Sequence, residues 1–263
     1  MADLYFPQLK TGAIAHYPVR KTLVTRTVSN ILPGGGIFTY PDDGASRGIW
    51  SWEYVGLTFD EAAVLQKFFD SCDGPLRPFT FLDPVGNLLA SNCGFREPEW
   101  QSSAAATIFG NLPGPFPSAT AVMITNRAQA VQEVWQTLPI PADYTYCFSL
   151  YVSSATEGSV TLFRRSSQSE STVSFGTSSE WKRISSSGNL QDSNIGMSVG
   201  IRLLPGQQVS VSAAQLEAQP TMSRYRTGLP SGDLYLHAHW ALEELQTRYI
   251  GPNNCTVSVS IEA

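Results

Sequence analysis

Hydrophobic and polar positions along the chain follow three textures in succession. The N-terminal region reads as extended, from Leu4-Tyr5-Phe6-Pro7 onward. Lys21–Val28 mixes β-branched and basic residues as strands do. Pro33-Gly34-Gly35-Gly36 predicts a turn; no Gly-Lys-Ser/Thr follows it, so a phosphate cradle is not indicated. From Gly48 to Gly56 the period is two, with Trp50, Trp52 and Tyr54 on one side and Ser51, Glu53 and Val55 on the other. The next segment has a helical period. Thr58 and Glu61 have capping-box spacing, Val64, Leu65, Phe68 and Phe69 form an apolar stripe, and Gly74-Pro75 ends the helix. Arg77–Pro84 returns to a strand, with Phe79 and Phe81 sharing a face.

The texture changes at Gly86. Eight short β runs follow at roughly ten-residue spacing, with turn residues between them, as in an antiparallel sandwich. They are Ala121–Thr125, Val131–Leu138, Tyr144–Val152, Ser159–Phe163, Ser171–Phe175, Trp181–Ser185, Gly196–Leu203 and Gln208–Glu217. After Leu229-Pro230-Ser231-Gly232 come two strands of a third texture, Tyr235–Ala241 and Thr256–Ile261. These suit the first region, whose sheet would otherwise expose an edge. The chain is therefore expected to be mainly β. Residues 1–86 and 229–263 would form a small split barrel or sandwich with one helix, and residues 87–228 an inserted antiparallel sandwich.

Composition narrows the function classes. Charged residues are 15% of the 263, the net charge is −5, and no long Lys/Arg run occurs, so the electrostatic footprint for nucleic acid is missing. No apolar run approaches the ~18 residues of a membrane span, and the first residues lack a signal-peptide pattern. Synthesis in a reducing cytoplasm is the expectation. Cys72, Cys93, Cys147 and Cys255 are scattered without zinc spacing and read as buried or half-buried thiols.

Two resemblances add to this reading. Asn87-Leu88-Leu89, Ser91, Phe95 and Trp100 are followed by Val134-Trp135-Gln136-Thr137 and Trp181-Lys182-Arg183. Ala214-Gln215-Leu216-Glu217-Ala218 and Ser223-Arg224-Tyr225-Arg226-Thr227 close the series. This order, covering about half the chain, resembles the carbohydrate-binding-like jelly rolls (galactose-binding-like) of phage tail and receptor-binding proteins. The flanking Trp50–Gly56 strand, the helix and the Leu76–Pro84 segment with Gly86-Asn87 resemble the hub domain of siphophage-type distal tail proteins. Similar hubs occur in phage-derived particles such as gene transfer agents. The resemblance implies a homo-oligomeric ring of six copies at the end of the tail tube. Its implied partners are the tail tube protein and tip or baseplate proteins, and its implied location is the virion tail tip after synthesis in the host cytoplasm. It also implies outward modules that meet host-surface glycans.

Candidate chemistry is sparse. No Gly-x-Ser-x-Gly elbow is present. His237 and His239 would share a strand face, but no carboxylate lies in register to complete a metal site. Glu97, Glu99, Asp143, Glu157 and Glu180 are loop acids that nothing pairs as a glycosidase requires. The expectation is a structural and binding protein, not an enzyme, with no cofactor, no metal and no catalytic residue. The alternative is a carbohydrate-binding adhesin or tail-fibre module outside any ring. A sugar site needs an aromatic platform with planar polar partners. The candidates are Trp135, Arg164, Arg165 and Trp181. Trp100 also qualifies by residue type, although each tryptophan sits in a β pattern that favours a core role.

Overall fold

The computed structural model describes residues 4–117 and 119–263. In chain order the elements are β1 (Arg20–Ile31), β2 (Ile37–Leu57), α1 (Phe59–Ser71), β3 (Phe79–Leu82), β4 (Trp100–Ser102), β5 (Ala106–Pro113), β6 (Thr120–Asn126) and β7 (Gln132–Pro141). There follow β8 (Tyr146–Ser153), β9 (Gly158–Arg165), β10 (Glu170–Thr177), β11 (Lys182–Gly188), β12 (Ile195–Leu203) and β13 (Gln208–Glu217). The last are β14 (Leu234–Trp240), β15 (Thr247–Gly251) and β16 (Asn254–Glu262). The fold is mainly β and antiparallel, with one helix among the described residues. Beyond the strands expected from pattern there are β4, β5 and β15. Among the described residues no helix is long and apolar enough to cross a membrane.

The chain divides into two compact units. The first comprises residues 1–10, 15–81 and 235–263, and the second residues 11–14 and 82–234. The main segment of the second unit, residues 82–234, contains the 87–228 expected from the sequence.

The first unit is one sheet in the order β1-β2-β16-β14-β3, with β15 beside β16. Period-two alternation in β2 buries Trp50, Trp52 and Tyr54 and leaves Val55 exposed. Alternation in β16 buries Val257, Val259 and Ile261 beside them. Phe6 lies at the centre, with ring contacts to Trp52, Phe68, Phe79, Phe81 and Trp240. The Thr58 side chain accepts from the Glu61 N–H, and the Glu61 carboxylate accepts from the Thr58 N–H, completing the capping box. The helix buries Ala62 and Leu65. Val64, expected in the stripe, is exposed: it lies one position too far round the helix, and Ala62 takes the core position instead.

The second unit is a sandwich of two five-stranded sheets, β10-β9-β12-β7-β4 and β11-β8-β13-β6-β5. From β6 to β13 the chain passes repeatedly from one sheet to the other, which is the winding of a jelly roll. Its core holds Val134, Phe148, Leu150, Leu162, Val199, Ile201, Val211 and Leu216.

The entry and exit of this unit are clasped together. The Asp83 N–H donates to the Asp233 carbonyl, the Asp233 N–H to the Asn87 carbonyl, and the Asn87 N–H to the Asp233 carboxylate. A Cβ on Gly86 would lie 2.4 Å from that of Asp233, so only glycine admits this approach. Asn87, fully buried, donates to the carbonyls of Ala214 and Arg226 and accepts from the N–H groups of Leu89 and Leu216.

Candidate functional site

Cross-strand register decides which side chains share the outer face of β10-β9-β12-β7-β4. Thr172, Phe163, Gly200, Trp135 and Gln101 form one row across the five strands. Glu170, Arg165, Ser198 and Thr137 form a flanking row, and Ser174, Thr161, Arg202 and Glu133 form the other. Adjacent strand residues point to opposite faces, so Arg164, Val199, Gln136 and Trp100 face the interior of the sandwich.

The middle row is an aromatic floor with a glycine at its centre. Gly200 has no room for a side chain: a Cβ there would stand 2.7 Å from Trp135 Cβ and 2.8 Å from Phe163 Cζ. Trp135 is half-buried, while Phe163 is fully buried although it belongs to the outer face. Two guanidinium groups cover Phe163, that of Arg165 at 4.8 Å from the ring centroid and that of Arg202 at 5.4 Å. The Arg165 guanidinium also lies 5.9 Å from the Trp135 ring.

Both arginines are held by the same pair of carboxylates. Glu133 accepts from Arg202 at 2.6 Å and Arg165 at 3.0 Å; Glu170 meets them at 2.8 and 3.6 Å. Burial by itself would lower the pKa of Arg202. The hydrogen bonds and charges of Glu133 and Glu170 outweigh it and hold the group above the ordinary arginine value. The four charges sum to zero, so the network adds no net charge to a polar face. Hydroxyl pairs Thr137–Ser198 and Thr161–Ser174, each 2.8 Å apart, complete it. At Gln101 and Thr137 the face meets a groove of about 230 Å³ that is also lined by Pro98, Glu99, Pro139 and Ser231.

Of the four residues singled out from sequence, Trp135 and Arg165 meet on this face. Arg164 does not: it is 2% exposed and reaches across the sandwich. There it donates to the carbonyls of Ser187 and Gly188, and within its own sheet to the Ser171 hydroxyl on β10. Burial lowers its pKa. Trp181 precedes β11, at the edge of the other sheet, and does not join the set. Trp100 is interior, 1% exposed, with its indole N–H donated to the Ala90 carbonyl. Sequence reasoning missed Glu133, Glu170 and Arg202. Their only signal is position parity along β7, β10 and β12, which becomes useful once the strands are registered.

The closing motif has a structural role. Glu217 accepts from the N–H and hydroxyl of Ser223, and Gln215 accepts from the Arg226 N–H at 2.8 Å. Arg183 donates to the Ser223 carbonyl. The Tyr225 hydroxyl donates to Asn92 Oδ1 at 3.2 Å. These bonds strap residues 219–228 over the outer face of the other sheet. Cys147 lies there beside Glu217, and burial pushes its thiol up to about 11. All four cysteines are free thiols. His239 bonds the Pro75 carbonyl through Nδ1, while His237 is exposed. Among the described residues no group of three or more His, Cys, Asp and Glu gathers as a metal requires.

No family model and no curated protein sequence matches the chain. Similar solved structures are carbohydrate-binding modules and a phage tailspike domain. TmCBM61 in complex with β-1,4-galactotriose is 17% identical, covers 49% of this chain and 97% of its own, and has a TM-score of 0.38. A xylan-binding domain of family 22 is 14% identical over 54% of this chain and 100% of its own, at 0.42. Tailspike protein 4 of bacteriophage CBA120 is 11% identical over 52% of this chain and 22% of its own, at 0.41.

Proposed function

We propose that the sandwich of residues 82–234 binds a neutral glycan on the outer face of β10-β9-β12-β7-β4. The observation that carries this reading is the company Trp135 keeps. A half-exposed indole shares one sheet face with two guanidiniums, two carboxylates and four hydroxyls. A pyranose ring offers an apolar face to an indole and equatorial hydroxyls to planar polar groups. The groove beyond Gln101 and Thr137 extends the surface for a further sugar unit. Because both arginines already hold Glu133 and Glu170, the site has little to offer an acidic sugar. The same pairing leaves the carboxylates engaged, and the role proposed is binding without catalysis.

The test is affinity electrophoresis and calorimetry of the whole chain against β-1,4-galactan, xylan, mixed-linked β-glucan and an anionic polysaccharide. Binding to a neutral polymer should fall at least tenfold in Trp135→Ala, as expected when a stacking platform worth over about 1.4 kcal/mol is removed. Equal binding by Trp135→Ala and the parent chain would overturn the site.

A second reading concerns the first unit and has its own observation. The β1–β2 hairpin is exposed from Ser29 to Pro41, with Ile31, Ile37 and Phe38 uncovered. An isolated two-stranded ribbon is marginal in water and gains stability when covered. This supports a tail-hub unit of a distal tail protein, in a ring of copies that joins the tail tube to the tip or baseplate and carries the sandwich toward the host surface. Labelling of the unit at the tail tip of an intact particle supports this reading; labelling only of free protein counts against it.

A further inference from the structure

The two arginines of the Trp135 face are paired with Glu133 and Glu170. Arg96 is the opposite case. It lies in the segment before β4 and reaches β5, the edge strand of the other sheet. It is exposed and has no carboxylate partner among the described residues. The polar group that its guanidinium meets is Asn111 Oδ1 at 3.5 Å, the outer limit of a hydrogen bond.

The guanidinium stands over a bulge. β5 and β6 lose register between Phe109 and Leu112, so that Gly110 and Asn111 together oppose Val122. A Cβ on Gly110 would lie 3.5 Å from Arg96 Nη2. Bulge and segment border a cleft of about 380 Å³. Among the described residues Arg96 is the one charged residue in its lining. Asn111 and Thr120 supply polar groups there, and Leu229 and Pro230 an apolar wall.

The frame of this cleft is held by the chain itself. The Ser91 N–H donates to the Pro230 carbonyl, and the Ser91 carbonyl accepts from the N–H groups of Gly94 and Phe95. Asn92 is buried, accepts from the Tyr225 hydroxyl and donates to the Thr227 carbonyl. Phe95 is buried against Trp100, with ring centroids 4.4 Å apart. Ser91, Phe95 and Asn111 have φ of 47°, 46° and 64°, a region that residues other than glycine rarely enter and that recurs at ligand sites. An arginine that serves only solubility needs no such frame.

We propose that this cleft is a second sugar site, specific for a unit that carries a carboxylate. The guanidinium would take the carboxylate through two parallel N–H···O bonds. Asn111 and Thr120 offer polar groups to ring hydroxyls, and the Leu229–Pro230 wall meets an apolar ring face. One guanidinium without a charged neighbour in the cleft balances one negative charge. A phosphate monoester carries about −1.5 to −2 at neutral pH and would leave part of its charge uncompensated. The acidic unit and the neutral glycan of the Trp135 face use different sheets of the sandwich, and neither site depends on the other.

The experiment titrates the full chain with trigalacturonic acid, its methyl ester and galactose 1-phosphate, followed by ligand-observed NMR and calorimetry up to millimolar concentration. The unaltered chain should bind the acid and bind the ester at least about tenfold more weakly, the size expected when a charge-assisted pair is lost. Arg96→Ala should lose about as much for the acid. Its guanidinium bonds only Asn111 among the described residues, so the fold is retained, as circular dichroism would verify. Asn111→Asp is the second variant. Aspartate tolerates the left-handed backbone and sets a carboxylate against the guanidinium, so this variant should also lose about tenfold. Affinity for the acid that falls in both variants and weakens with added salt supports the site. No binding by the unaltered chain, equal affinity for acid and ester, or unchanged affinity in Arg96→Ala would overturn it. Tighter binding of the sugar phosphate than of the acid would overturn the choice of a carboxylate. Loss in Trp135→Ala in place of Arg96→Ala would move the acidic sugar to the other face, against the proposal.

Discussion

Replacing Asn87 by alanine tests whether the second unit is held closed at its ends. The Asn87 side chain makes four hydrogen bonds, all to backbone groups, and is fully buried. Two of its partners, Ala214 and Leu216, lie on β13, while Arg226 belongs to the strap and Leu89 to the entry segment. Truncation therefore strands two carbonyls and two N–H groups at once. Each stranded buried group costs about 1–3 kcal/mol, less wherever a water enters the space the side chain leaves. With two of the four re-satisfied in that way, the net loss is about 4 kcal/mol. For a unit of roughly 150 residues that corresponds to a fall in Tm of about 8–16 °C. Differential scanning calorimetry of the full chain is the assay, and the transition that moves should be that of the sandwich. Asn87→Asp should also destabilise, because a carboxylate cannot donate to the Ala214 and Arg226 carbonyls. A shift below about 3 °C, the equivalent of a single lost bond, would refute the clasp.

Other consequences follow from single features. Thr58→Ala removes the helix cap and should lower stability of the first unit by about 1 kcal/mol in urea denaturation, with Thr58→Ser nearly neutral. Asp192 accepts from the Ser166 hydroxyl and from the N–H of Asn194, and the Ser166 bond first among these holds its pKa below the ordinary value. Its folded-state pKa is depressed, so its stabilisation is complete above the unfolded value of about 3.9 and is lost as pH falls through the folded one. Ser166→Ala should therefore narrow the stability gap to the parent chain as thermal melts move from pH 6 to below pH 4; a gap independent of pH would refute it. Arg164→Ala leaves the carbonyls of Ser187 and Gly188 without their donor and opens a cavity, for an expected loss of about 3 kcal/mol in the same denaturation assay.

Much of the fold was legible because burial imposes period. The strict alternation in Gly48–Gly56 and Thr256–Ile261 reflects a sheet with one face against the Phe6 cluster. Strands β6 to β13 were readable from apolar runs between turns. β4, β5 and β15 were not: β4 has three residues, while β5 and β15 expose most side chains, so neither run shows an alternation set by a core. The candidate site was half legible. Residue type identified Trp135 and Arg165, and parity alone shows that the consecutive pair Arg164-Arg165 cannot share a face of a strand. Glu133, Glu170 and Arg202 come from three strands far apart in sequence. Only the pairing of β7, β10 and β12 through β9 brings them round one aromatic floor.

That contrast also separates architecture from binding among the polar residues of the sandwich. Asn87, Arg164 and Gln215 spend most of their hydrogen bonds on the chain's own backbone, and all three are buried. Removing any of them takes a hydrogen-bond partner from backbone groups of the sandwich, so their place is set by folding. On the Trp135 face the bonding is of another kind. Glu133, Glu170, Arg165 and Arg202 bond chiefly to one another, side chain to side chain, and remain a sixth to a third exposed. Such a network keeps long side chains ordered before any ligand arrives, which lowers the entropy lost on binding. It also stays partly exposed, where a hydroxyl of the proposed glycan would exchange with water at little cost. A polar surface held by its own side chains beside a half-exposed tryptophan is what the proposed weak and reversible hold on a neutral polymer would require.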